Sequence, residues 1–413
     1  MTATHENPAL LTRRSTLALM LAALAGNAAG PSLIKTAETI AAIAPRKLAP
    51  PLLQWPTLDT LAQTMVDKKL TPGLSLSVMS AGVLLYSRGF GMANVETSAA
   101  VTPQTEFRVA SITKQFTAAA ILLLAEDGLL SVDDSLAKFM PDFQRATDIT
   151  LRQLLSHTSG MGDYINGQAQ SILTEAQSRD YTASELMAII SARQPLYKAQ
   201  PGATWLYSNS AFTILGLIVE KLSGLALADF FQQRLFIPAG LAQTKIDKTC
   251  TAAAVCNGYR PNFRAPTKYD LATPISPSFA GGAGAIRSTT EDLCLWHCAL
   301  LEGKVLKPAS LQAMLTPTLL KNGTPAYERR GVEALEYGLG QGLGTFDSLK
   351  VASHGGRING FTGHLRSFTD NKLTVAILYN SDGGGAPGFS GAQKGLRTEA
   401  SRLGIAYLGL NKA

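Results

Sequence analysis

The chain lacks the marks of several large functional classes. Its 37 Lys and Arg against 30 Asp and Glu leave a net charge of +7 over 413 residues, and no run of five or six basic residues occurs. Nothing in it resembles a base-stacking or groove-reading motif, so nucleic-acid binding is not expected. The N-terminal apolar run, residues 17–25, falls short of the about 20 residues that a spanning helix needs, so no permanent membrane span is expected. No internal repeat occurs, which argues against a solenoid or array. There are four cysteines: Cys250, Cys256, Cys294 and Cys298. The only His near them is His297, and no carboxylate cluster completes a ligand set, so no metal site is expected. Cys250 and Cys256 flank a short Ala-rich loop that an oxidising compartment would let them close. Cys294 and Cys298 sit four apart in a predicted helix, where bridging geometry is poor and buried thiols are the plainer reading.

What is present begins with an address. Thr12-Arg13-Arg14-Ser15-Thr16-Leu17 precedes the apolar run, and small residues, Gly26-Asn27-Ala28-Ala29-Gly30, follow it. Paired arginines before a short, weakly apolar segment read as a twin-arginine export signal, over residues 1–29. A general-secretion signal or an uncleaved anchor is the alternative. The expected destination is the periplasm or the exterior. Residues 30–51, rich in Ala and Pro, read as a linker.

The remaining chain, 52–410, is long enough for a large core, with 46% hydrophobic residues. Residues 74–80 and 83–91, joined by Ala81-Gly82, read as a hairpin. Helical patterns cover 111–125, 151–155, 184–192 and 211–222; Thr182 and Glu185 have capping-box spacing, and Ser223-Gly224 supplies a stop. Residues from about 130 to 320 read mainly as helix and loop. Then 351–354, 365–369 and 373–379 read as strands, and 388–408 as a closing helix. The expected fold class is α/β (α+β): an antiparallel sheet from both chain ends, flanked by helices, with a mainly helical subdomain inserted. The sheet part spans about 52–130 and 330–410, the helical part about 131–329. Clefts between such parts commonly hold small ligands.

Three segments carry chemistry. In Ser111-Ile112-Thr113-Lys114 a hydroxyl and an amine lie three apart, on one helical face. A serine is a poor nucleophile until a base takes its proton, and a buried lysine can help supply one. Tyr207-Ser208-Asn209 precedes a helix; Tyr207 is a candidate proton carrier, and Asn209 offers a donor and an acceptor to orient an acyl amide and Lys114. His354-Gly355-Gly356-Arg357 ends a predicted strand, whose glycines admit a substrate backbone and whose edge N–H groups suit an oxyanion hole.

In this order the segments resemble the serine β-lactamase and penicillin-binding protein superfamily, in the branch of class C β-lactamases, D-alanyl-D-alanine carboxypeptidases, D-aminopeptidases and carboxylesterases. Ser111 to Lys114 matches S-x-x-K, Tyr207 to Asn209 matches Y-x-N, and His354 to Gly356 falls where K-T-G or H-x-G belongs. The stretches 154–160, 281–292 and 337–340 match as well, so the likeness runs from about 55 to 410. The resemblance implies an acyl-enzyme on Ser111, a general base shared by Lys114 and Tyr207, and an oxyanion hole from the backbone N–H groups of Ser111 and Arg357. It implies substrate binding by Asn209, His354, Gly355, Gly356 and Arg357, and no cofactor. The third motif departs from the pattern: His-Gly-Gly lacks the Lys and Thr that help bind a substrate carboxylate in many β-lactamases. Arg357 could recover some of that through its planar fork. His157 reads as a structural residue at a helix end. The expected activity is an exported serine hydrolase acting on a D-alanyl peptide, a β-lactam or a small ester. The alternatives are a carboxylesterase with little β-lactam activity, a penicillin-binding receptor that acylates but barely turns over, and a binding module without chemistry.

Overall fold

The structure, a computed structural model, describes residues 47–48, 52–166, 170–247, 256–262, 264–265, 269–328, 335–383 and 386–410. The export reading and nearly all of the linker lie outside the described residues. Strands β1 (Lys47–Leu48), β2 (Gly73–Ser80), β3 (Val83–Asn94) and β4 (Ala99–Ala100) come from the start of the chain. β5 (Phe107–Arg108), β6 (Lys245–Ile246), β7 (Tyr259–Pro261), β8 (Tyr269–Leu271) and β9 (Ile286–Ser288) are short. β10 (Tyr327–Glu328), β11 (Leu335–Tyr337), β12 (Gly342–Phe346), β13 (Leu349–Ile358), β14 (Phe361–Phe368) and β15 (Leu373–Tyr379) come from its end.

The two ends interleave in one sheet of order β1-β3-β2-β15-β14-β13-β12-β11-β10, with β4 on β3. Every pair in it is antiparallel except β1 with β3. The sheet and its flanking helices are as the sequence predicts. The hairpin closes because Ala81 and Gly82 both take positive φ, 45° and 77°, the turn that matches strand twist. The region that reads as helix and loop also holds β6 and β9, which form a separate three-stranded sheet with β5, and the β7–β8 pair.

β2 shows how this sheet is buried on both faces. Leu74, Leu76 and Val78 join a cluster with helices α1 (Pro56–Asp67) and the C-terminal helix (Phe389–Tyr407). The alternating Ser75 and Ser77 face the other way and are also buried. Their hydroxyls lie 3.0 and 2.7 Å from the Thr290 hydroxyl, so the buried polar groups are satisfied. Behind this second face lies the larger core, built on helix α2 (Thr113–Glu126), whose first twelve residues are all buried. Helix α3 (Leu151–Leu155), α4 (Ala183–Ser191), α5 (Asn209–Ser223), α6 (Pro277–Gly284) and α7 (Thr290–Leu301) complete it. The Thr182–Glu185 capping box starts α4, and Gly224, in the left-handed region, stops α5. Cys294 and Cys298 lie in α7 and, with Cys256, are buried thiols rather than half-cystines; Cys250 lies outside the described residues. No single described helix is long and apolar enough to cross a membrane.

Candidate active site

Ser111 is set by a sharp local turn. After β5 the chain enters a 3-10 turn, Ala110–Ile112, that runs straight into α2. Ala110 takes φ 50°, a strained setting for a residue with a Cβ. The strand before it is fixed by buried charge. The Arg108 guanidinium donates to the carbonyl of Ile275 at 2.8 Å. Arg287 joins Asp247 at 2.9 Å and Glu106 at 3.1 Å. Burial raises the Asp247 carboxyl above its ordinary value, against the pull of the arginines.

The structure brings Ser111, Lys114, Tyr207 and Asn209 together. Tyr207 Oη lies 2.6 Å from Ser111 Oγ. Lys114 is fully buried, and its three ammonium protons find three acceptors: Ser111 Oγ at 3.1 Å, Asn209 Oδ1 at 2.8 Å and the carbonyl of Ala283 at 2.8 Å. Its Nζ also sits 4.8 Å from the Tyr207 ring centre. A buried charge is tolerated where it is so fully hydrogen-bonded.

Two members of this network escape sequence reading. Asp163 accepts from Asn209 Nδ2 at 2.9 Å, which fixes the amide so that its oxygen faces Lys114. Its only sequence trace is local: Oδ1 also accepts the N–H groups of Ile165 and Asn166, at 2.8 and 3.1 Å, the habit of an Asp in a turn. The carbonyl of Ala283 is invisible in sequence because any residue carries one. It is aimed by the break at Gly281 inside α6, where φ is 48° and ψ −143°.

His157 seats the Tyr207 loop. Its Nδ1 accepts the N–H of Ser208 at 3.2 Å, and its ring lies 4.4 Å from that of Tyr207 and 5.0 Å from that of Phe212. Ser111 comes from the 3-10 turn, Lys114 from α2, Asn209 from α5, Tyr207 from the loop before α5, and His157 and Asp163 from the loop after α3.

The third segment needs one correction. The sequence places His354 to Arg357 at a strand end, but β13 runs on to Ile358 and keeps its pairing with β14 throughout. Pairing with β12 does stop, at Ser353. From His354 on, the β12 side of β13 therefore has no ladder partner among the described residues. Gly356 lets this free edge approach the nucleophile, since a Cβ there would lie 2.1 Å from the carbonyl of Val109. Gly340 does the same on the far side: a Cβ would lie 2.7 Å from the carbonyl of Lys114. His354 is buried and locked, with Nδ1 2.6 Å from the carbonyl of Gly355 and Nε2 3.0 Å from Tyr337 Oη. That carbonyl only accepts, so Nδ1 carries a proton. Gly355 and Arg357 are exposed.

Ser111, Tyr207, Asn209, His354, Gly355, Gly356 and Arg357 line one cleft of about 800 Å³. The described residues hold no His, Cys, Asp and Glu cluster fit for a metal. What the cleft holds is a hydroxyl beside a phenol and a buried ammonium, facing an unpaired strand edge. That set can deprotonate an alcohol and receive a developing oxyanion.

The Beta-lactamase family profile matches residues 58–399. Penicillin-binding protein 4* of Bacillus subtilis (strain 168) is 28% identical over 79% of this chain and 71% of its own length. The D-aminopeptidase of Brucella ovis is 23% identical over 81% of this chain, which spans 61% of that protein. The octameric penicillin-binding protein homologue from Pyrococcus abyssi superposes with a TM-score of 0.69 at 26% identity, over 80% of this chain and 74% of that one.

Proposed function

This chain belongs to the β-lactamase family and is a hydrolase of the serine β-lactamase fold, and on that premise we propose that it cleaves an amide or ester bond through an acyl-enzyme on Ser111. The observation that carries this reading is the double contact at Ser111 Oγ, with Tyr207 Oη at 2.6 Å and Lys114 Nζ at 3.1 Å. Tyr207 takes the Ser111 proton as the oxygen attacks the carbonyl carbon, and later gives it to the leaving amine or alcohol. Lys114, held by Asn209 and Ala283, keeps positive charge beside the phenol and so favours its deprotonated form. The two groups share the base role: Tyr207 carries the proton, and the Lys114 charge holds the phenol able to take it.

The backbone N–H groups of Ser111 and Arg357 receive the carbonyl oxygen, the second from the free edge of β13. Asn209 holds the acyl amide. Water then enters by the same base and frees the acid. The N-terminal arginine pair supports export, and a D-alanyl peptide suits a periplasmic address. The relatives include a penicillin-binding protein and a D-aminopeptidase, which supports an amide bond next to a D-residue as the first substrate to try.

The test is turnover of a D-alanyl amide, a penicillin and a short acyl ester by the wild type and by Ser111→Ala. Multiple turnovers of at least one substrate are expected, with loss of about a thousandfold or more in the variant. Turnover that survives Ser111→Ala sinks the mechanism. One turnover and no more marks the chain as a penicillin-binding receptor.

A further inference from the structure

A second cavity, of about 310 Å³, lies across helix α6 from the cleft. The helix is the wall between them. Ala280, Ala283 and Gly284 line the cleft, while Pro277, Gly281, Gly282 and Ala285 line the second cavity. Residues three and four apart share a helix face, so one strip of backbone has a cavity on either side. The strip is thin: from Ala280 to Ala285 no side chain exceeds a methyl group. It also holds α2 through two carbonyls. Ala283 accepts from Lys114 Nζ at 2.8 Å, and Gly282 accepts from Thr117 Oγ1 at 2.6 Å. The break at Gly281 interrupts the helix where it meets the second cavity. There is room beside it, since a Cβ at Gly281 would meet nothing nearer than 3.6 Å.

The second cavity combines apolar walls with acids. Leu186, Leu217, Leu227 and Ile246 line it, and Leu186 and Leu227 are buried. Its charged lining residues are Glu220, Asp229 and Asp247, and no Lys, Arg or His among the described residues joins them. Asp247 is committed to Arg287 at 2.9 Å. Glu220 is held in place, since its Oε1 accepts the N–H of Leu227 at 2.8 Å. Its second oxygen has no hydrogen-bond partner among the described residues. Small-molecule sites start at about 300 Å³ and combine apolar lining with a few placed polar groups. An apolar body fits these walls, an ammonium fits the Glu220 carboxylate, and an anion would meet like charge.

We propose that this cavity binds a small apolar amine and that its occupant acts on Lys114 through the strip from Gly281 to Ala285. The amine sits against the interrupted backbone, and that backbone carries one of the three acceptors of the Lys114 ammonium. Two sites that bias one element are coupled in free energy, whichever is filled first. The effect on turnover rests on the acyl-transfer reading above; the binding site and its effect on the strip do not.

The test titrates benzylamine, benzyl alcohol and benzoate into the wild type, Glu220→Gln and Ala183→Trp, read by ligand-observed NMR. Glutamine keeps the shape and removes the charge. Ala183 is an exposed lining residue, so tryptophan there blocks the cavity without displacing a buried side chain. Benzylamine should bind with a Kd of about 1 mM or below. It should bind about threefold or more tighter than benzyl alcohol, with benzoate weakest. Glu220→Gln should bring amine and alcohol to about equal affinity, and Ala183→Trp should weaken both by about tenfold. Equal binding of amine and alcohol by the wild type, or amine binding that either variant leaves unchanged, overturns the site. Hydrogen exchange over residues 277–288 reads the strip without reference to catalysis. Benzylamine should slow it in the wild type and not in Ala183→Trp; no change at saturating amine overturns the action on Lys114. Where an acyl ester is turned over, the same amine should change kcat by about twofold or more, and Ala183→Trp should abolish the effect. Competition that only raises KM, in wild type and variant alike, places the amine in the cleft and overturns the proposal. Absence of turnover sinks the acyl-transfer reading instead, and binding and exchange then decide the proposal.

Discussion

The two walls of the cleft are built on opposite plans. On one wall, Lys114, Asn209 and Asp163 are buried and joined by hydrogen bonds of 2.8 to 2.9 Å. On the other, β13 presents an edge with no ladder partner among the described residues past Ser353, a glycine with room for a Cβ and an exposed arginine. The first wall is preorganised, so its groups need no rearrangement as charge develops. The second is open, with Gly355 and Arg357 exposed on the cleft. On the proposed function, reactivity would belong to the buried wall and substrate contact to the open one.

Breaking the buried wall should cost the most. Lys114→Ala removes the ammonium that three acceptors surround, and kcat should fall by about a hundredfold to ten-thousandfold. Rates measured above and below neutral pH, with thermal melts of the same samples, would check that the loss is chemical and not unfolding. Asp163→Asn keeps the shape and removes the charge that holds Asn209. We expect kcat to fall by about ten- to a hundredfold, because a side chain misplaced by an ångström is enough to do this. Retention of full activity would mean that Asn209 needs no such anchor.

The open wall offers a sharper contrast between two adjacent glycines. Gly356→Ala drives a Cβ to 2.1 Å from the carbonyl of Val109 and should destabilise by about 1–3 kcal/mol, as overpacking does. Gly355→Ala meets nothing nearer than 3.8 Å and should stay within about 0.5 kcal/mol. Denaturant unfolding of the pair decides it; equal effects would erase the distinction between forced and free glycine.

A further expected effect concerns pH and the core behind the buried wall. His297, against Gln115 at 3.0 Å, is driven by burial to about 4 from an ordinary 6.5. The folded state therefore resists a proton that the unfolded state accepts. Stability is complete above pH 6.5 and is lost as pH falls through 6.5 toward 4, on the order of 1 kcal/mol by pH 5.5. His364, desolvated beside Arg397 and Arg366, acts in the same direction. His297→Gln should flatten the unfolding free energy over that window without removing the slope entirely.

Much of this was legible in the sequence where local chemistry decides structure. The Thr182–Glu185 capping box, the Ala81-Gly82 turn and the stop at Gly224 each announce an element by a physical signal of its own, and each stands where expected. Spacing put Ser111 and Lys114 in reach of one another, and the family likeness added Tyr207 and Asn209, 96 and 95 residues away along the chain from Ser111 and Lys114. What stayed hidden are groups made functional by tertiary placement alone. The Ala283 carbonyl has no identity in sequence, and Asp163 looks like any turn aspartate. The extent of β13 was missed because glycines at 355 and 356 read as a strand end, whereas pairing with β14 carries the strand through them.

The most direct test of the central claim is intact-protein mass spectrometry after rapid acid quenching, with a penicillin, an activated acyl ester and a D-alanyl amide as substrates. The account predicts a mass increase equal to the acyl group for at least one of them, mapped to Ser111 and absent in Ser111→Ala. Turnover with no adduct at any quench time, or an adduct that persists in Ser111→Ala, would contradict it.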